Sequence, residues 1–190
     1  MDLFKAIEGR RSCRKFLNEP VPDEIIDKLL TAAAWAPSPL NLQPWQFIVI
    51  KNQGKKAEIL REAERCRDWA MEKSGWKWLK GYKMDFLQEA PVIIAVVGDP
   101  KKSGVDMFQE DGGVGYQQAC SAAIQNMLLA AHALEMGSLW FTFYDKANMR
   151  NILEVPEPKT PIALICIGKA GEDPVAVPRK DVKKRTTSLE

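Results

Sequence analysis

Between Tyr116 and Met136 the chain carries Ala119, Cys120, Ala122, Ala123, Ile124, Met127, Leu128, Leu129, Ala130, Ala131, Ala133 and Leu134, so apolar side chains wrap nearly the whole circumference of one helix. A helix of that pattern has no wet face. It must be covered on all sides, by the rest of the monomer or by a subunit interface, and Gly137 is expected to end it. Four β-branched runs supply the cover: Phe47–Ile50, Val92–Val97, Leu139–Phe143 and Ile162–Ile167, each bounded by Pro, Gly or polar turns. Further helices are expected over Asp2–Gly9, from Pro22 to Ala36, over Lys55–Ser74 and from the cap Asp145 to Leu153. Strands interrupted by helices of unequal length, the first two joined by a long helical excursion, indicate an α+β layered fold. With 190 residues and no internal linker or repeat, one domain spans 1–190. Its Pro-containing, charged tail from 171 to 190 has no periodicity and folds only against something else.

Composition narrows the chemistry. Lys and Arg number 27 against 25 Asp and Glu, so no global field recommends nucleic acid or an anionic membrane. The four cysteines, at 13, 66, 120 and 166, form no C-x-x-C pair, which excludes a written zinc cluster or thioredoxin-like motif and suits free thiols in a reducing cytoplasm. A polar start and a longest apolar run of Val92–Val97 leave neither a signal peptide nor a membrane span. The single histidine, His132, sits inside the apolar helix and is expected to be a core or interface residue. Asp111-Gly112-Gly113-Val114-Gly115 follows no strand and lacks a third glycine, so it is not a dinucleotide fingerprint.

Two stretches offer a site. Arg10, Arg11 and Arg14 around Ser12 present planar, charge-assisted donors suited to a phosphate, although a solvated charge run would look the same. In Pro37–Trp45, prolines stiffen a loop whose Asn41 and Gln43 amides can both donate and accept toward a heterocycle; the alternative is a plain connector. Cys13 lies among arginines that would lower a thiol pKa. Trp69, Trp76, Trp78, Tyr82 and Phe86 are expected to pack as core, as aromatic clusters usually do, with an aromatic lid over a narrow pocket as the alternative. A rival reading is a binding module gripping RNA through this basic turn and Lys183-Lys184-Arg185, but no strand carries the alternating aromatics of a stacking platform.

Arg10-Arg11-Ser12-Cys13-Arg14-Lys15-Phe16, Pro20-Val21-Pro22, Ala36-Pro37-Ser38 with Asn41-Leu42-Gln43-Pro44-Trp45, Gln125–Leu134 with Gly137-Ser138, and Pro178-Arg179 together resemble the nitroreductase family of flavoproteins, in order along the chain. The resemblance implies a central mixed or antiparallel sheet flanked by helices, and an intertwined homodimer with FMN at the subunit interface and the tail packed on the partner. It implies that Arg10, Arg11, Ser12 and Arg14 hold the phosphate and ribityl chain, with Arg179 reaching the phosphate from the tail. Pro37, Ser38 and Pro39 would approach from the other subunit with Asn41 and Gln43 on the same loop, while Phe141 and Thr142 would lie against the ring. It further implies ping-pong transfer from NADH or NADPH to a small-molecule acceptor such as a nitroaromatic or quinone, with no metal and no catalytic side chain, because the cofactor carries the chemistry. Flavin-fragmenting and reductively dehalogenating enzymes share the same family fold.

Overall fold

The computed structural model describes residues 1–109, 112–173 and 175–189; Asp111, the first residue of the discounted glycine segment, lies outside them. Six α-helices and four strands follow one another as α1 (Leu3–Gly9), α2 (Asp23–Ala34), β1 (Trp45–Ile50), α3 (Gln53–Ser74), α4 (Phe86–Glu89), β2 (Val92–Gly98), α5 (Gly115–Ala133), β3 (Gly137–Phe141), α6 (Lys146–Ile152) and β4 (Thr160–Gly168). The strands form one sheet in the order β1-β2-β4-β3, and every pairing is antiparallel. No described helix is long and apolar enough to cross a membrane.

The period-2 alternation of the two inner strands builds both halves of the core. On β2, Ile93, Ala95 and Val97 face one side with Leu164 and Cys166 of β4, packing against Ile59 and Ala63 of α3, Phe86 and Leu87 of α4 and Met149 of α6. Val92, Ile94 and Val96 face the other side with Ala163, Ile165 and Ile167, packing against Ile26, Leu29 and Ala33 of α2 and Ala123, Ile124 and Met127 of α5. The result is a helix/sheet/helix sandwich whose central strands are buried on both faces.

Local chemistry sets the ends of the helices. Asn52 caps α3 by accepting from Lys55 N–H at 2.9 Å, and Gly75 ends it at φ +69°, where a Cβ would be strained. Asp145 caps α6 by accepting from Asn148 N–H at 2.9 Å, as the sequence suggested. Helix α5 lacks a side-chain cap of its own, and Asp106 from the preceding loop accepts from Val114 and Gly115 N–H at 2.9 and 2.7 Å. Its C-terminal end departs from expectation. Helical structure stops at Ala133, Glu135 turns the chain at φ +60°, and Gly137 is the first residue of β3. Nor is α5 covered all round by its own chain: Gln118, Gln125 and Ala133 are exposed and Ala122 and Leu129 half-buried along one flank.

Lys56 on α3 is fully buried, and burial pushes its ammonium below the usual lysine range. Its Nζ donates to Ala90 O at 2.8 Å and Gln88 O at 3.2 Å, tying α3 to the turn that launches β2. Lys56→Met fills the same volume but leaves both carbonyls without that donor. The expected loss of about 1–2 kcal/mol, net of the relieved desolvation of the charge, is read as a lower urea midpoint at unchanged m-value.

Candidate functional site

The site begins where α1 ends. Gly9 abuts the end of α5 so closely that a Cβ would lie 2.7 Å from His132 Nε2. The chain then runs extended: Ser12 bridges Ser138 in parallel, and Cys13 N–H donates to Ser138 O at 2.9 Å. Residues 10–14 are thereby laid along the outer edge of β3 at its start. Gly9, Arg10, Arg11, Cys13, His132 and Ser138 line a cleft of about 350 Å³.

Two buried polar atoms in this cleft have no partner, Arg11 Nε and Ser138 Oγ. The Arg11 guanidinium is fixed by Nη1, which donates to Arg10 O at 2.8 Å and to Glu8 O. Burial first, then the adjacent Arg179 and Arg11 guanidiniums, hold Arg10 below the usual arginine range. Arg10, Arg11 and Arg179 therefore converge although they lie far apart in sequence. Among the described residues none of them, nor Arg14, pairs with a carboxylate, and Glu135 and Asp173, which also line the cleft, stand outside ion-pair distance. Clustered guanidiniums with an orphaned N–H and an orphaned hydroxyl fit a phosphate, which would satisfy both and offset the mutual repulsion.

Strand β3 extends the site. It is an edge strand, and Ser138 turns its carbonyl outward to Cys13; by the two-residue period, Trp140 and Thr142 turn their N–H groups toward the same open edge. Thr142 is exposed. Phe141 instead points inward, its ring 5.7 Å from that of Phe86 and 6.3 Å from that of Tyr144, so it can address a ligand only through its backbone. Four residues of strand place Thr142 about 13 Å from Ser138.

The loop after α2 stands apart. Leu40, Asn41 and Gln43 adopt positive φ (50°, 55° and 45°), Gln43 N–H donates to Ser38 Oγ at 3.1 Å, and Gln43 Nε2 donates to Asn41 Oδ1 at 3.2 Å. Pro37, Ser38 and Pro39 share a cleft of about 260 Å³ with Gly115, Gln118, Ala119 and Ala122 at the start of α5. The arginine cleft lies at the other end of that helix. From Gln118 to His132 is fourteen residues, about 21 Å of rise, so one chain does not bring its two predicted half-sites together.

Three expectations need correction. The thiol of Cys13 is not activated: it is buried, burial pushes its pKa up, and its Sγ donates to Lys15 O at 3.0 Å. The tryptophans are not core, since Trp69, Trp76 and Trp78 are 58%, 59% and 60% exposed. Leu79, Met84, Phe86 and Leu87 fill the space they were expected to occupy, because the turn at Gly75 directs Leu79 inward and its flanking rings outward. Of the two places expected for His132, core or interface, the core is excluded, since it is half-buried in the cleft wall. Sequence reasoning had left Ser138 off the site; its signal was a polar residue at a helix-to-strand turn that the basic stretch must cross.

The Nitroreductase family profile matches residues 7–169. The chain belongs to the nitroreductase family. Within that family it is 33% identical over 178 residues, 92% of this chain and 80% of the other, to a protein of Methanothermobacter thermautotrophicus named "Putative NADH dehydrogenase/NAD(P)H nitroreductase". It is 29% identical, over 87% of this chain and 81% of the other, to 5,6-dimethylbenzimidazole synthase of Rhodospirillum rubrum. A crystal structure of oxidized iodotyrosine deiodinase bound to FMN and 3-iodo-L-tyrosine superposes with a TM-score of 0.84 over 99% of this chain and 100% of that one, at 23% identity. This nitroreductase-family chain is thus an oxidoreductase by kinship, with the antiparallel α+β fold of the group.

Proposed function

We propose that the protein is an FMN-dependent oxidoreductase, passing reducing equivalents from NADH or NADPH to a small-molecule acceptor such as a nitroaromatic or quinone. The observation that carries this reading is the convergence of Arg10, Arg11 and Arg179 with the orphaned Arg11 Nε and Ser138 Oγ, about 13 Å along one strand edge from the free Thr142 N–H. The spacing matches a ligand with a phosphate at one end and a hydrogen-bonding ring at the other. Arg10, Arg11, Arg14 and Arg179 bind the phosphate, with Ser12 and Ser138 as hydroxyl donors, and Thr142 N–H orients the ring edge. A bound flavin supplies the two-electron chemistry itself, so no acid, base or nucleophile is demanded of the chain.

A second copy of Pro37–Pro39, with Asn41 and Gln43, closes the ring end, because the copy in the same chain lies at the far end of α5. The protein therefore works as a homodimer, and the exposed flank of α5 and the exposed tail valines Val175, Val177 and Val182 are surfaces for the partner. All four cysteines are buried free thiols, in keeping with a cytoplasmic protein.

The test is anaerobic. Flavin-loaded protein mixed with NADH or NADPH loses its visible flavin absorbance and regains it on addition of a nitroaromatic or a quinone. Persistent absorbance with both nicotinamides sinks the reductase reading and leaves the phosphate site standing. Relatives named for dehalogenation and for dimethylbenzimidazole synthesis make halogenated phenols and oxygen the informative additions to the acceptor panel.

A further inference from the structure

Beyond α3 the chain exposes what soluble proteins normally hide. Trp76 and Trp78 stack with ring centroids 6.1 Å apart and planes 28° from parallel, and Tyr82 meets Trp78 edge-on at 5.9 Å. Both indoles are more than half exposed, so the outer faces of the stack are open. Around them the charge is lopsided: residues 73 to 85 hold Lys73, Lys77, Lys80 and Lys83 against a single acidic residue, Asp85, in a chain whose whole net charge is +2. Lys77 and Lys80 are three apart in the 3₁₀ helix Lys77–Gly81, whose three-residue turn sets them on one face. Leu79, 1% exposed, anchors the opposite face in the core. All four lysines are exposed, and among the described residues none has an ion-pair partner. Tyr82 packs on the same core cluster as Phe86, whose ring meets Phe141, and Trp69 at the end of α3 lines a cleft of about 450 Å³ with Phe143 and Tyr144.

Open indole faces beside unpaired ammonium groups suit a planar base carrying phosphates. Base–indole stacking is indifferent to base identity, while the lysines select for charge. We propose that Trp76, Lys77, Trp78 and Lys80, with Lys83, dock the adenosine-phosphate end of the nicotinamide donor and make NADPH, with its extra 2′-phosphate, preferred over NADH. This rests on the reading of the protein as a nicotinamide-dependent oxidoreductase, but its test does not.

Flavin-loaded wild-type protein is titrated with adenosine 2′,5′-bisphosphate and with 5′-AMP, following tryptophan fluorescence. The bisphosphate is expected to quench saturably and to bind at least about tenfold more tightly than 5′-AMP, with the difference shrinking at high salt. In Lys77→Gln/Lys80→Gln the preference is expected to disappear and KM for NADPH to rise about tenfold, more than KM for NADH does, with flavin content and melting temperature unchanged. Absence of quenching, equal affinity for the two nucleotides, or a preference that survives the double substitution overturns the proposal. So does shielding of the indoles from acrylamide in the nucleotide-free dimer, which would make the patch a contact between copies, or quenching by an oligonucleotide but not by the bisphosphate. If the bisphosphate binds as described while neither nicotinamide reduces the flavin, the docking face stands and the reductase reading fails.

Discussion

Arg11→Ala is expected to emerge from purification almost colourless where the parent protein is yellow. Arg11 Nε is buried without a partner, and its guanidinium is already aimed by Nη1 bonds to the carbonyls of Glu8 and Arg10. A phosphate arriving there meets a donor whose desolvation and ordering were completed during folding, so little is lost on binding. A charge-assisted bond of this kind contributes about 1.5–3 kcal/mol, and its removal should raise the Kd for FMN by roughly 10- to 100-fold. Two controls separate binding from folding. Riboflavin, which has no phosphate, should bind parent and variant alike. Arg11→Lys, which keeps the charge and loses the fork, should fall between them. Full FMN occupancy in the alanine variant would remove Arg11 from the phosphate site.

Glu62→Gln is the second large effect, and it falls on stability. Only 6% exposed, Glu62 accepts from Arg65 Nε and Nη2 at 2.8 and 2.9 Å, from the Cys66 thiol at 3.2 Å, from Asp145 N–H at 3.1 Å and from Asn148 Nδ2 at 3.2 Å. One carboxylate thus ties α3 to the start of α6. Burial pushes its carboxyl upward, but the donors from Arg65, Cys66 and Asp145 outweigh it and hold the pKa down at about 2, against an ordinary 4.5. A depressed carboxyl stabilises the fold above the unfolded-state pKa, so this contribution is full above about pH 4.5 and is lost as pH falls toward 2. Discounted for the solvent around the half-exposed Arg65, it amounts to about 2–3 kcal/mol. The amide cannot serve all five donors, and the variant is expected to lose about 3 kcal/mol at pH 7 while losing less than the parent between pH 4.5 and pH 2. Urea melts across that range check both; parallel pH profiles for the two proteins would show that the carboxylate is not the titrating group.

Much of the fold was legible because its signals are local. The runs at Phe47, Val92, Leu139 and Ile162 all became strands of one sheet, and the cap at Asp145 is satisfied by its own neighbour. The failures share a cause as well. Three neighbouring arginines would lower the Cys13 pKa and leave its reactivity open, but sequence adjacency does not report burial, and β3 covers it. Trp69, Trp76 and Trp78 counted as core by composition, yet which aromatic turns inward depends on the backbone reversal at Gly75 and on Leu79 taking the interior position. Glu135 ends the α5 region in place of the glycine expected to do so, since a single left-handed residue costs little when the following strand pairing holds it.

The sequence by itself determined the layered α+β class, the family and which arginines are candidates for a phosphate, because periodicity and residue chemistry are written along the chain. It even separated the loop at Pro37 from the basic stretch at Arg10. Only the tertiary structure decided that α5 holds those two stretches about 21 Å apart, that Arg179 returns to stand beside Arg10, and that Ser138 and Arg11 keep unpartnered polar atoms in one cleft. Those facts depend on which distant segments meet, and the meeting is set by the packing of helices on both faces of the sheet rather than by any local preference. The apolar circumference of the helix at Tyr116 ends up divided in the same way. Part of it is covered by its own chain, and the flank at Ala122 and Leu129 is only half covered.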